Sequence, residues 1–151
     1  MFDKTNMERI MTELLDWRMQ FEDYKTLILT GSTPKDRMDV IRRFAARNFE
    51  SMIHVNVKNN EKIREYMNTN PAGRDAYRFL EKSVMEMIMP VDTVLVLENA
   101  DALEPYAFVD YAENLFNPDD MCFLIMTGEF SDEDIAPLRE TCIHVVLPPK
   151  E

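Results

Sequence analysis

This sequence is poor in the residues that bind metals or crosslink a chain: it has two cysteines and two histidines in 151 residues. Cys122 and Cys142 each fall inside an apolar run of strand character and in no C-x-x-C pair, a setting in which cysteine behaves as a small buried hydrophobe. Both are expected as free thiols. His54 and His144 stand far apart in the chain, so no zinc pattern arises and no metal site is expected. Charge-free stretches such as 26–33 and 93–97 are far below the roughly 20 apolar residues of a bilayer span. No long apolar run follows Met1-Phe2-Asp3-Lys4 as a secretory signal requires, and the cytoplasm is the expected compartment. Basic side chains are in the minority, 17 against 28 acidic, and the net charge of -11 repels phosphate backbones. Nucleic acid and membrane are therefore not expected partners. The carboxylates gather late in the chain, at Asp119, Asp120, Glu129, Asp132, Glu133 and Asp134, where they suit either a solvated rim or a basic protein partner.

What is present is the composition of an ordinary globular protein, 46% apolar and 30% charged, in a length that fits one domain covering 1–151. Met7, Ile10, Met11, Leu14, Leu15 and Trp17 recur at helical spacing, with Thr5 and Glu8 in a T-x-x-E capping pattern. Thr26-Leu27-Ile28-Leu29-Thr30 is a short continuous apolar run typical of a strand buried on both faces, and Gly31 ends it. Thr33 and Pro34 suit the cap and first turn of a helix running to Asn48. Residues 52–57 read as a second strand, followed by a short helix near 61–67. Tyr77, Leu80, Val84, Met87 and Ile88 predict a helix that Pro90 terminates. Residues 93–97 form a third strand, a helix starts at Pro105, and 121–127 form a fourth strand. Ser131 and its acidic neighbours suit a helix amino end, and 142–147 close the sheet. Strands separated by helices, without hairpin signals, predict an α/β fold of three layers: a mostly parallel five-stranded sheet with helices on both faces. The 12 methionines are assigned mainly to core filling.

In such a sheet, ligands collect beyond the carboxyl ends of the strands, which directs attention to the segments after Thr30, Val57, Leu97 and Thr127. The run 14–18, the strand Thr26-Leu27-Ile28-Leu29-Thr30-Gly31, the run 93–99 and Ile125-Met126-Thr127-Gly128 together resemble prokaryotic P-loop ATPases of the AAA superfamily. In order, they are similar to that family's leader helix, phosphate-loop strand, magnesium-and-catalytic-carboxylate strand, and sensor strand. The resemblance spans nearly the whole chain and covers the ATPase domain alone, without the further carboxyl-terminal domain the family usually carries. It implies a P-loop NTPase-like fold. A working phosphate loop would need further glycine, a lysine and a magnesium-binding hydroxyl, but the loop reads Gly31-Ser32-Thr33-Pro34-Lys35-Asp36-Arg37-Met38. Aligned on Gly31, the second glycine becomes Asp36, the lysine Arg37, and the hydroxyl residue Met38, a thioether unsuited to magnesium. Glu98 could hold a cation as the family's aspartate would, but Asn99 replaces its catalytic glutamate, and an amide is no general base; Asp101, two residues on, could take over as base but reads as the ordinary cap of the helix at Pro105.

The leading expectation is a degenerate ATPase-like domain without turnover, serving as a protein-interaction or regulatory module and carrying no cofactor. The alternative is a nucleotide-binding protein or slow ATPase that holds ATP and magnesium weakly through Gly31, Ser32, Thr33, Arg37 and Glu98. A third reading is an unrelated flavodoxin-like domain with Ser32 and Thr33 on a flavin phosphate. No G-x-S-x-G or H-E-x-x-H pattern supports another chemistry.

Overall fold

The computed structural model describes residues 2–85 and 92–149. Helix α1, Lys4–Met19, is capped by Asp3, whose carboxylate accepts the Asn6 N–H at 2.7 Å. The cap lies two residues before Thr5, because an aspartate caps as well as a threonine and lets the helix begin earlier. Strand β1, Thr26–Gly31, leads into helix α2, Pro34–Asn48, whose Thr33 cap and Pro34 first turn match the sequence expectation. Strand β2, Ser51–Asn56, is followed by helix α3, Glu61–Thr69, and helix α4, Arg74–Leu80. The chain continues from α4 as a wider π-type turn, Glu81–Met85. Met87, Ile88 and Pro90, assigned to the same helix from the sequence, lie outside the described residues.

Strand β3, Thr93–Glu98, precedes a short 3-10 turn, Ala100–Ala102, and helix α5, Pro105–Asn114. Strand β4, Cys122–Thr127, leads to helix α6, Asp132–Ile135, and strand β5, Ile143–Leu147, comes last. Ser131 caps α6 in a reciprocal box with Asp134, which accounts for the acidic residues there.

All strand pairs are parallel, in the order β2-β3-β4-β1-β5. This order places β1 between β4 and β5, whereas flavodoxin-like sheets put β1 between β2 and β3, so the flavodoxin reading is incorrect. The alternation along each strand divides the core in two. Ile28, Leu95, Leu97, Leu124 and Met126 face one layer, with Ile63, Leu80, Phe108 and Tyr111 of α3, α4 and α5. Leu27, Leu29, Val94, Val96 and Ile125 face the other, with Ile10 and Trp17 of α1 and Ile41 and Phe44 of α2. Burial on both faces explains why β1, β3 and β4 read as continuous apolar runs, while β2 and β5 at the sheet edges are only partly buried.

Helix α1 is anchored by Trp17, which is fully buried and meets Phe123 edge-on at 5.6 Å. Arg18 stacks its guanidinium over Phe49 and Phe123, donates from Nε to the Asn48 carbonyl at 2.7 Å and pairs with Asp92. No helix among the described residues is long and apolar enough to cross a membrane.

Candidate functional site at the strand ends

Because every strand runs the same way, the carboxyl ends of β1 to β4 share one edge of the sheet. The register aligns Asn56 with Glu98 and Glu98 with Thr127, so the segments singled out by sequence converge. Gly31 turns the chain out of β1 with φ 89°, and Ser32 follows at φ 51°. A Cβ at Gly31 would lie 2.4 Å from the Leu147 carbonyl oxygen, a contact with backbone that cannot move aside. This requires glycine at the point where the sequence retains it.

The next residues direct the turn's polar groups inward. Thr33 Oγ1 accepts the Asp36 N–H at 3.1 Å, and Ser32 donates its hydroxyl to the Asp36 carboxylate at 2.7 Å. A carboxylate thus sits in the first turn of α2, where exposed amides and the helix dipole would otherwise favour an outside anion. Asp36 is 6% exposed and Arg37 only 1%. The Arg37 guanidinium folds back along the turn: Nη1 donates to the Gly31 carbonyl at 2.9 Å, and Nη2 pairs with Glu129 Oε1 at 3.0 Å. Arg37 is therefore no surface arginine; it joins the turn after β1 to the turn after β4. Met38 is buried in the layer shared with α1 and contributes packing.

On the neighbouring strands, Glu98 accepts a contact from His54 Nε2 at 2.7 Å, and Asn99 Nδ2 donates to Asn56 Oδ1 at 3.1 Å. Asn99 adopts left-handed backbone at φ 56°, a conformation asparagine tolerates better than most residues. This turn leads directly into Ala100–Ala102, which changes the role of Asp101. Expected as the cap of the helix at Pro105, Asp101 lies in the 3-10 turn, while Glu104 occupies the cap position of α5. The Asp101 carboxylate lies against Gly128, where an added Cβ would be 2.3 Å from Oδ1.

Pro34, Arg37, Glu98, Asn99, Thr127 and Gly128 enclose a cleft too small for a water molecule. Of these lining residues, Arg37 and Thr127 each have a buried side-chain atom, Nε and Oγ1, with no hydrogen-bond partner among the described residues. The structure thus brings Gly31, Ser32, Arg37 and Glu98 to one edge and places Thr33 at the helix cap. Sequence reasoning missed Glu129 as the partner of Arg37, and also the His54–Glu98 and Asn56–Asn99 contacts. The Asn56–Asn99 contact had a usable signal, since polar residues end otherwise apolar parallel strands, whereas His54 lies within β2 and gave none. Glu129 had none, because it sits among other carboxylates. Among the described residues no cluster of three or more His, Cys, Asp or Glu is placed to hold a metal ion.

The strand order is that of a P-loop NTPase-like fold, and solved structures agree. A Walker-type ATPase of Pyrococcus abyssi superposes on 100% of this chain and 55% of its own, with a TM-score of 0.57 and 12% identity. PCH-2 of C. elegans matches 97% of this chain and 43% of its own, with a TM-score of 0.57 and 10% identity. The chain thus spans about half the length of these neighbours, and at such identity the likeness concerns the fold. No protein-family model matches the sequence, and no curated protein matches it.

Proposed function

We propose that this chain is a catalytically inactive P-loop ATPase-like domain that works as a protein-interaction or regulatory module. The observation that carries this reading is the Arg37 side chain. It takes the sequence position of the phosphate-binding lysine, yet is buried and already committed to the Gly31 carbonyl and the Glu129 carboxylate. A compact ammonium on a flexible stem could reach outward to a triphosphate, whereas a planar guanidinium held at two edges is spent on the fold.

The surrounding groups support the same conclusion. Asp36 supplies negative charge where a phosphate would bring its own, and Pro34 removes an amide donor from the turn. Met38 lies in the core and offers no hard oxygen to magnesium. Asn99 has an amide in place of a general base. Loss of one preorganised catalytic group commonly costs about 10² to 10³ in rate. Several such losses combine here, though not additively. The exposed carboxylates Asp119, Glu129, Asp132 and Glu133 leave a strongly acidic surface suited to a basic partner.

One observation favours nucleotide binding instead: Arg37 and Thr127, both lining this cleft, each bury a polar side-chain atom with no partner among the described residues, although the cleft would have to open before a phosphate could reach either. Thermal unfolding with ATP and magnesium separates the readings, because a ligand at 100 times its dissociation constant adds about 2.7 kcal/mol. The inactive reading expects no shift at millimolar nucleotide and no phosphate release. Metal-dependent ATP cleavage by the pure protein, abolished by changing Arg37 or Glu98, would overturn it.

A further inference from the structure

A groove of about 390 Å³ runs between α1 and α2, on the sheet face that carries those helices and away from the cleft just described. Its floor is apolar: Met7 is buried, and Phe2 and Met11 are half-buried. Its rim is basic, with Lys4 from α1 and Arg43 and Arg47 from α2, all exposed. These three make no ion pair among the described residues. Three cations against one carboxylate, Glu8, leave the described rim net positive, which is unexpected on a chain of net charge -11.

The two walls are regular. Lys4, Met7, Glu8 and Met11 follow one stripe of α1, and Arg43 and Arg47 stand one turn apart on α2, about 5–6 Å between successive side chains. A helix laid along the groove presents side chains at that same interval. Its apolar residues would reach Phe2, Met7 and Met11, and carboxylates one turn apart would meet Arg43 and Arg47. The unbranched methionines adapt to whichever apolar side chain arrives. Glu8, the single carboxylate on the rim among the described residues, would repel a partner that is acidic all round, so the occupant must be acidic along one flank only.

We propose that the α1–α2 groove docks an acidic amphipathic helix of a partner protein, apolar on one face and carrying carboxylates along one edge of it. This surface is separate from the strand-end cleft and does not depend on whether the cleft binds nucleotide. A nucleic acid or an anionic membrane would meet the same arginines, but the overall negative charge repels either extended polyanion, while a single helix contacts the groove alone.

The test is fluorescence anisotropy of the full chain with labelled helical peptides bearing leucines one turn apart, flanked on one side by glutamates at the same spacing. The same peptides with lysine for glutamate serve as controls. The acidic peptides are expected to bind, and R43E/R47E is expected to weaken them about tenfold without changing the melting temperature, as loss and reversal of two exposed contacts implies. Lys4→Glu, on the opposite wall, should act in the same direction and keeps the test valid if the double variant folds poorly. Equal binding of the lysine peptides, no binding of any acidic peptide, or acidic binding indifferent to all three changes would each overturn the proposal. So would co-sedimentation with phosphatidylserine vesicles, or concentration-dependent self-association, if R43E/R47E abolished it while peptide binding was absent.

Discussion

Arg37 and Glu129 meet at 3.0 Å across the end of the sheet, one from the first turn of α2 and the other from the loop after β4. The arginine is buried and the glutamate side chain is 68% exposed, so the two ends of the contact contribute unequally. Replacing Arg37 with alanine removes packed methylenes and leaves the Gly31 carbonyl without its donor. The expected loss of stability is about 2–3 kcal/mol. Glu129→Gln should cost under about 1 kcal/mol, because solvent screens its side of the pair. Urea unfolding of both variants checks the ranking, and equal losses would contradict it.

Gly31 and Gly128 differ in what a methyl group would strike. At Gly31 the obstacle is the Leu147 backbone and φ is positive, so Gly31→Ala should cost about 3 kcal/mol or more. At Gly128 the nearest atom belongs to the Asp101 side chain, which can rotate, and the loss should be nearer about 1 kcal/mol. A double-mutant cycle with Asp101→Ala should recover much of the Gly128→Ala loss and none of the Gly31→Ala loss.

His144 contributes a pH dependence of definite sign. Burial lowers its pKa from 6.5, Asp132 opposes that shift and Arg139 adds to it, and its Nε2 lies 2.7 Å from Thr30 Oγ1. The unfolded chain then binds the proton first, so His144 favours folding above pH 6.5 and loses that contribution as the pH falls below it. His144→Gln should flatten this part of the stability profile, and Asp132→Asn should steepen it. Denaturant midpoints measured across this range would show the difference.

The thiols should be nearly inert in the native protein. Burial raises the pKa of Cys122, and it pushes Cys142 up to about 11, so little thiolate is present near neutrality. Alkylation by iodoacetamide is expected to be slow in buffer and to proceed at both cysteines once the chain is unfolded. Rapid native labelling of Cys142 would contradict this placement.

Composition and periodicity by themselves determined the α/β class, the five strands and the α2 cap at Thr33. Apolar runs on a doubly covered sheet leave few other ways to satisfy both faces. Helix ends were less legible: Asp3 replaced Thr5 as a cap, and Glu104 took the place expected of Asp101, because competing cap residues sit within a turn of one another. The reading of residues 31–38 as an altered phosphate loop rests on resemblance by position along the chain alone. Only the tertiary structure decided where the Arg37 guanidinium points, because its partners, the Gly31 carbonyl and Glu129, come from a bent turn and from a loop 92 residues away. Folding alone brings those groups together, and it also leaves the basic edge of the α1–α2 groove uncovered.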